Sequence, residues 1–137
     1  MKTYVLDACA LIAMLNEENG KEMVKNVLVD AMTGKAVVIM NKLNLLEVYY
    51  DIIRKCGKTS ADDMVKTIKD SPIRIKSVIT DDVFTEAGRL KASYKISIAD
   101  SIALAETIVL NGSLLTSDHH EFDVIEKSEN ISIEWIR

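Results

Sequence analysis

Short apolar runs alternate with helical patterns along the chain. Tyr4-Val5-Leu6 and Ala36-Val37-Val38-Ile39-Met40 are continuous apolar runs of strand length. Leu114-Leu115 is a shorter run of the same kind. Uninterrupted apolar runs suit strands covered on both faces, as in a parallel sheet. Ile73 and Ile75, and then Ile131, Ile133 and Trp135, alternate with polar residues, which predicts edge strands. Helical spacing links Met23, Val24, Val27, Leu28 and Ala31. It also links Val83, Ala87, Leu90 and Tyr94, and again Ile98, Ile102, Ala105 and Val109. Ala61, Met64, Val65 and Ile68 predict a shorter helix, and the stretch from Leu43 to Ile53 a largely buried one. Strands alternating with helices predict right-handed βαβ crossovers and an α/β sandwich. Ligands of such folds bind beyond the carboxyl ends of the strands.

Composition narrows this picture. A chain of 137 residues with a single proline and no low-complexity tract is expected to form one domain over 1–137. Cys9 and Cys56 form no CxxC pair, so neither a disulfide framework nor a structural zinc site is expected, and a reducing cytoplasm suits the chain. No long apolar segment is present near the start or elsewhere, so neither a signal peptide nor a membrane span is expected. The net charge of −4 argues against binding nucleic acid through bulk positive charge. It leaves room for an enzyme that meets phosphates through metal and a few basic groups.

The strand-end rule makes the acids informative. Asp7 directly follows the first run and opens a helical segment from Ala8 to Leu15. Asp118 follows Leu114-Leu115-Thr116-Ser117, so both acids fall on one rim of the sheet. Asp100 stands three residues after Ser97, in the pattern of a capping box. Each of the three is equally well explained, taken alone, as a helix cap. Glu47 lies inside the apolar Leu43–Ile53 helix, on a narrow stripe with Asn44, Asp51 and Lys55. It reads either as part of a solvated face or as a carboxylate in need of a partner. Four acids on one rim would repel each other, and a divalent cation relieves that repulsion. Mg²⁺ or Mn²⁺ bound by oxygen ligands can activate water against a phosphodiester. His119 and His120 are adjacent, so they do not present two ligands to one metal as an i, i+4 pair does, and surface positions suit them better.

These residues resemble the motifs of PIN-domain ribonucleases. The stretches are Tyr4-Val5-Leu6-Asp7-Ala8-Cys9-Ala10-Leu11-Ile12, Asn44-Leu45-Leu46-Glu47-Val48-Tyr49-Tyr50, Ala99-Asp100-Ser101-Ile102-Ala103-Leu104-Ala105, and Leu114-Leu115-Thr116-Ser117-Asp118 with Phe122-Asp123. The resemblance spans nearly the whole chain and is closest to compact VapC-like toxins. It implies a three-layer α/β/α sandwich around a mostly parallel sheet and Mg²⁺- or Mn²⁺-dependent cleavage of RNA. It also implies a homodimer and an inhibitory antitoxin of VapB type. Asp7, Glu47, Asp100 and Asp118 are then the expected catalytic and metal-binding acids, with Asp123 sharing the fourth role with Asp118. The family often carries Ser, Thr or Asn just after the first aspartate, where this chain has Ala8 and Cys9. Cys9 reads as a small packing residue, although a thiol near a helix N-terminus can also be activated.

Lys42, Arg54, Lys55, Lys58, Lys91 and Lys95 are candidate guides for RNA, or ordinary solvated charges. Tyr49 and Tyr50 are candidates for base stacking, or for the core or a dimer interface. Rival readings fare worse. A haloacid-dehalogenase-type phosphotransferase wants an aspartate where Cys9 stands. A receiver domain wants paired acids after the first strand. A dinucleotide-binding module wants a glycine-rich turn after Leu6. A stand-alone PIN-like protein that processes or binds RNA is the remaining alternative.

Overall fold

The computed structural model describes residues 1–137. In chain order the elements are β1 (Lys2–Leu6), α1 (Ala8–Leu15), α2 (Lys21–Met32), β2 (Ala36–Asn41), α3 (Lys42–Cys56) and α4 (Lys58–Lys69). They continue with β3 (Ile73–Lys76), α5 (Asp81–Ser93), α6 (Ile98–Val109), β4 (Ser113–Thr116), α7 (His119–Ser128) and β5 (Ser132–Trp135). The five strands form one sheet in the order β3-β2-β1-β4-β5, and every pairing is parallel. The two alternating segments are the edge strands, as their patterning predicts.

Helices cover both faces, giving three layers. Side chains alternate across the sheet because the strand period is two. Leu6 and Leu115 enter the core beneath α1 to α4, together with Val38, Met40, Leu45, Val48 and Met64. Val5 and Leu114 enter the opposite core, with Val83, Leu90, Ile102, Leu104, Phe122 and Ile125 of α5 to α7. Each strand thus turns one residue to each core, which explains why β1 and β4 are apolar without interruption.

β1 is central, and the chain leaves it in both directions. β2 and β3 build outward on one side, and β4 and β5 on the other. The strand order therefore reverses between β1 and β4, where crevices form at strand carboxyl ends. Register there is set by Val5 opposite Leu114 and Leu6 opposite Leu115. The residues that follow each strand are thereby brought to the same edge.

α3 departs from the expected buried helix. Leu46, Tyr50 and Ile53 are exposed, whereas Asn44, on the presumed polar stripe, is fully buried. Its packed face is thus rotated toward Asn44, Leu45 and Val48. α6 is more enclosed than any amphipathic pattern implies, with Ser101 through Thr107 all buried. It packs against α5 on one side and α3 on the other, as well as against the sheet. Gly20, which caps α2, is required twice over. Its φ is +98°, and an added Cβ would come within 2.6 Å of the Ile136 carbonyl oxygen.

Candidate active site

Four elements deliver one acid each to the β1–β4 edge. Asp7 leaves β1 in an extended conformation and caps α1, its carboxylate accepting the Ala10 amide at 2.9 Å. Asp118 caps α7 in the same manner, accepting the Glu121 amide at 3.1 Å. Asp100 sits in the first turn of α6, where its backbone N–H donates to the Ser97 hydroxyl at 3.0 Å. Glu47 lies one turn beyond Asn44 on α3. The capping explanation is therefore correct for Asp7 and Asp118, and it accounts for their orientation. Oxygen atoms that satisfy helix N-termini are held on the rim by those same bonds.

The four acids line a single cavity of about 380 Å³ with Ala8, Cys9, Ile12, Tyr50, Asp51, Arg54 and Lys55. Asp123 is placed elsewhere. It is exposed on α7 and pairs with His119 Nδ1 at 2.8 Å, outside the wall of this cavity. His119 also stacks on Trp135, with ring centroids 3.8 Å apart. Both histidines are exposed, in keeping with their adjacent positions.

The acids sense one another. Burial pushes the Asp7 carboxyl up to about 7, opposed by its bonds to Thr116 and Ala10 and reinforced by Asp100 and Asp118. Burial also pushes Asp100 up to about 7, with repulsion from Asp118 and Glu47 adding to it. Glu47 is raised as well, through burial and then Asp118. The Cys9 thiol goes up to about 12, chiefly by burial and further by the four acids. That environment is the reverse of an activating one, so Cys9 is a packing residue of the cavity wall.

Thr116 joins the candidate site although the sequence pattern did not single it out. It is fully buried at the end of β4, between the two capping acids. Its hydroxyl donates to Asp7 Oδ2 at 2.5 Å and accepts the Asp118 amide at 3.0 Å. One side chain thus fixes both strand-end acids. The available signal was its position, a hydroxyl residue two places before the last acid. A second unforeseen group lies deeper. Glu106 is fully buried on α6, accepts from Asn41 Nδ2 at 3.3 Å and faces Lys76 Nζ at 3.6 Å.

The basic candidates divide. Arg54 and Lys55 line the acid cavity, but Lys55 is paired with Asp51 at 3.0 Å. Lys58 is paired with Asp62, whose other carboxylate oxygen accepts the Tyr49 hydroxyl at 2.6 Å. Lys42 borders a different hollow beside Leu45 and Leu46, and Lys91 and Lys95 are exposed and do not line the acid cavity.

The donor set of the cavity suits a hard cation. Its anionic donors are carboxylates, beside one phenol and one thiol, and oxygen is what Mg²⁺ and Mn²⁺ prefer. As the side chains stand, no three of the acids converge into a ready ligand set. No helix is long and apolar enough to cross a membrane.

The family model for the PIN domain matches residues 4–128. No curated protein matches the chain. Among solved structures, DNA-bound VapBC from Salmonella typhimurium superposes with a TM-score of 0.76 at 13% identity, covering 100% of both chains. VapBC2 from Rickettsia felis, bound to a fragment of its promoter, gives 0.73 at 16% identity over 97% of this chain and 98% of that one. VapC20 of Mycobacterium tuberculosis, described as a toxin that cleaves the sarcin–ricin loop, gives 0.65 at 15% identity over 88% and 94%. With its family model spanning all four acid-bearing segments on a matching fold, this chain belongs to the PIN domain family.

Proposed function

We propose that the chain is a divalent-metal-dependent endoribonuclease, acting in the cytoplasm as the toxin of a toxin–antitoxin pair. One observation carries the reading: four acids from four separate elements of a PIN domain line one cavity. The likeness to VapBC complexes supports the toxin role and a VapB-type antitoxin, and a homodimeric state belongs to the same reading. The description of VapC20 supports RNA as the substrate class.

Asp7, Glu47, Asp100 and Asp118 are the groups that would hold Mg²⁺ or Mn²⁺. When bound, such an ion neutralises charge on the reacting phosphate and makes water acidic enough to serve as a nucleophile. Asp7 is presented rigidly, since Thr116 and the α1 N-terminus bind both its oxygens. Asp118 is set by the α7 N-terminus and, through its amide, by the same threonine. Asp100 and Glu47 sense each other's charge from two helices that pack together, and both line the cavity. Asp123, bonded to His119 and off the cavity wall, is left out of this assignment.

The test is cleavage of RNA by purified protein freed of any antitoxin. Cleavage is expected with Mg²⁺ or Mn²⁺ and not with EDTA. Asp100→Asn should abolish it while the circular dichroism spectrum is kept. Full activity in Asp100→Asn would remove the site assignment.

A further inference from the structure

The acid cavity has a second wall of different chemistry. Tyr50, Asp51, Arg54 and Lys55, all from α3, line it beside the acids. Within this group Lys55 is already engaged by Asp51. Arg54 takes part in none of the chain's ion pairs. It instead lies over the ring of Tyr50, with its guanidinium carbon 4.8 Å from the ring centroid. The two residues are one helical turn apart, the spacing at which helix side chains meet. A cation over an aromatic face keeps all its N–H donors free while losing much of its freedom of movement. Arg54 is thus a restrained guanidinium with unused donors, on the wall of a cavity otherwise dominated by negative charge.

An oxyanion with a planar pair of acceptors is what such a fork recognises best. Arg54 lies seven residues beyond Glu47, about 10 Å further along the helix axis. That offset places its ligand beside the phosphate that the acids would face rather than on top of it. We infer that Arg54, held by Tyr50, is the anchoring site for a neighbouring phosphodiester of a single-stranded RNA substrate. It sets which linkage of the strand reaches the acids. The inference rests on the ribonuclease reading for the identity of the strand. Arg54 touches a phosphate that does not react, so its contribution falls on binding and register and not on the chemical step.

Binding is measured by fluorescence anisotropy of a fluorescein-labelled single-stranded oligoribonucleotide. The proteins carry Asp100→Asn to prevent cutting, and Mg²⁺ is present. Adding Arg54→Ala should weaken binding about tenfold, the scale of one lost charge-assisted contact. It should also flatten the slope of log affinity against log salt by about 0.7, one phosphate contact on a single strand. Arg54→Lys should restore the slope but not the full affinity, since an ammonium keeps the charge and loses the fork. Tyr50→Leu should lower affinity while leaving the slope intact. In the cleaving enzyme, Arg54→Ala should raise KM about tenfold, like the binding loss, with kcat kept. Lys127→Ala, an exposed residue in the last turn of α7 that does not line the cavity, is the control for general charge loss. The inference is overturned if Arg54→Ala matches that control, or if it lowers kcat with KM unchanged. Protein that binds the strand through Arg54 yet never cuts it would sink the ribonuclease reading alone. Cleavage that survives Arg54→Ala with unchanged KM would sink the anchoring site alone.

Discussion

At the scale of single residues, Thr116 decides how the two strand-end acids behave. Its hydroxyl bond favours the ionised form of Asp7 and offsets part of the rise that burial, Asp100 and Asp118 impose. Thr116→Val should therefore raise the pH at which Asp7 ionises and cost about 1–3 kcal/mol, the range for stranding a buried polar group. The first effect appears as an upward shift in the pH midpoint of Mn²⁺ stabilisation, and the second in urea unfolding. The sign of the wild-type pH dependence follows from the same groups. Asp7 and Asp100 both ionise near 7 in the folded state and near 3.8 as isolated groups. Between those values the native state holds more protons than the unfolded chain, so stability present at low pH is lost as pH rises through about 7. Asp62 and Glu129 shift the other way, but both are lowered and already ionised by pH 5.5. Without metal, the melting temperature at pH 8 should fall below that at pH 5.5 by about 4 °C or more, a loss of order 1 kcal/mol. An equal or higher value at pH 8 would count against a buried, mutually repelling set of acids.

At the scale of elements, the strands were the most legible part of the chain and α3 the least. Apolar runs at β1 and β2 and alternation at β3 and β5 report burial on two faces or one, and strand period turns that directly into position. Asp7 and Asp118 were legible for the same reason, since each follows a strand. α3 carries three demands at once, which a single hydrophobic stripe cannot show. It buries Leu45 and Val48, points Glu47 into the cavity and leaves Leu46 and Ile53 exposed. Asn44 fell on the stripe read as solvated because its burial comes from packing with elements distant in the chain and leaves no local periodicity. Glu106 was invisible for the same reason, and it gives this scale its prediction. The carboxylate is wholly enclosed, with Lys76 as its counter-charge and Asn41 as its donor. Lys76→Met strands a buried charge and should cost about 3 kcal/mol or more, whereas Glu106→Gln should cost clearly less. Urea denaturation of the two variants compares them directly. A Lys76→Met loss no larger than that of Glu106→Gln would mean that Lys76 does not neutralise the buried carboxylate.

For the whole molecule, the strand order was the part that sequence could not supply. Local patterns place strands and helices, but the choice to extend the sheet from β1 in both directions is made by long-range packing. That choice brings Asp7 and Asp118 side by side and creates the cavity. It also concentrates negative charge in a chain whose net charge is already −4. Such a site is costly to the fold when no cation balances it, and the fold should therefore gain when one acid is neutralised. Asp100→Asn keeps the shape of the side chain and removes a charge that Asp7, Glu47 and Cys9 all respond to or contribute to. At pH 8 in EDTA this variant should melt about 3–6 °C above the wild type, equivalent to relief of order 1 kcal/mol. Millimolar Mn²⁺ should then reverse the ranking. A ligand present at 100 times its Kd adds about 2.7 kcal/mol to the protein that binds it, and the variant has lost part of the site. Differential scanning fluorimetry of both proteins, with and without Mn²⁺, reads the two effects separately. A variant that is less stable than the wild type in EDTA would show that Asp100 is held by favourable contacts instead of strained by its neighbours. A ranking unmoved by Mn²⁺ would show that the acids take up no metal, and the proposed chemistry would go with it.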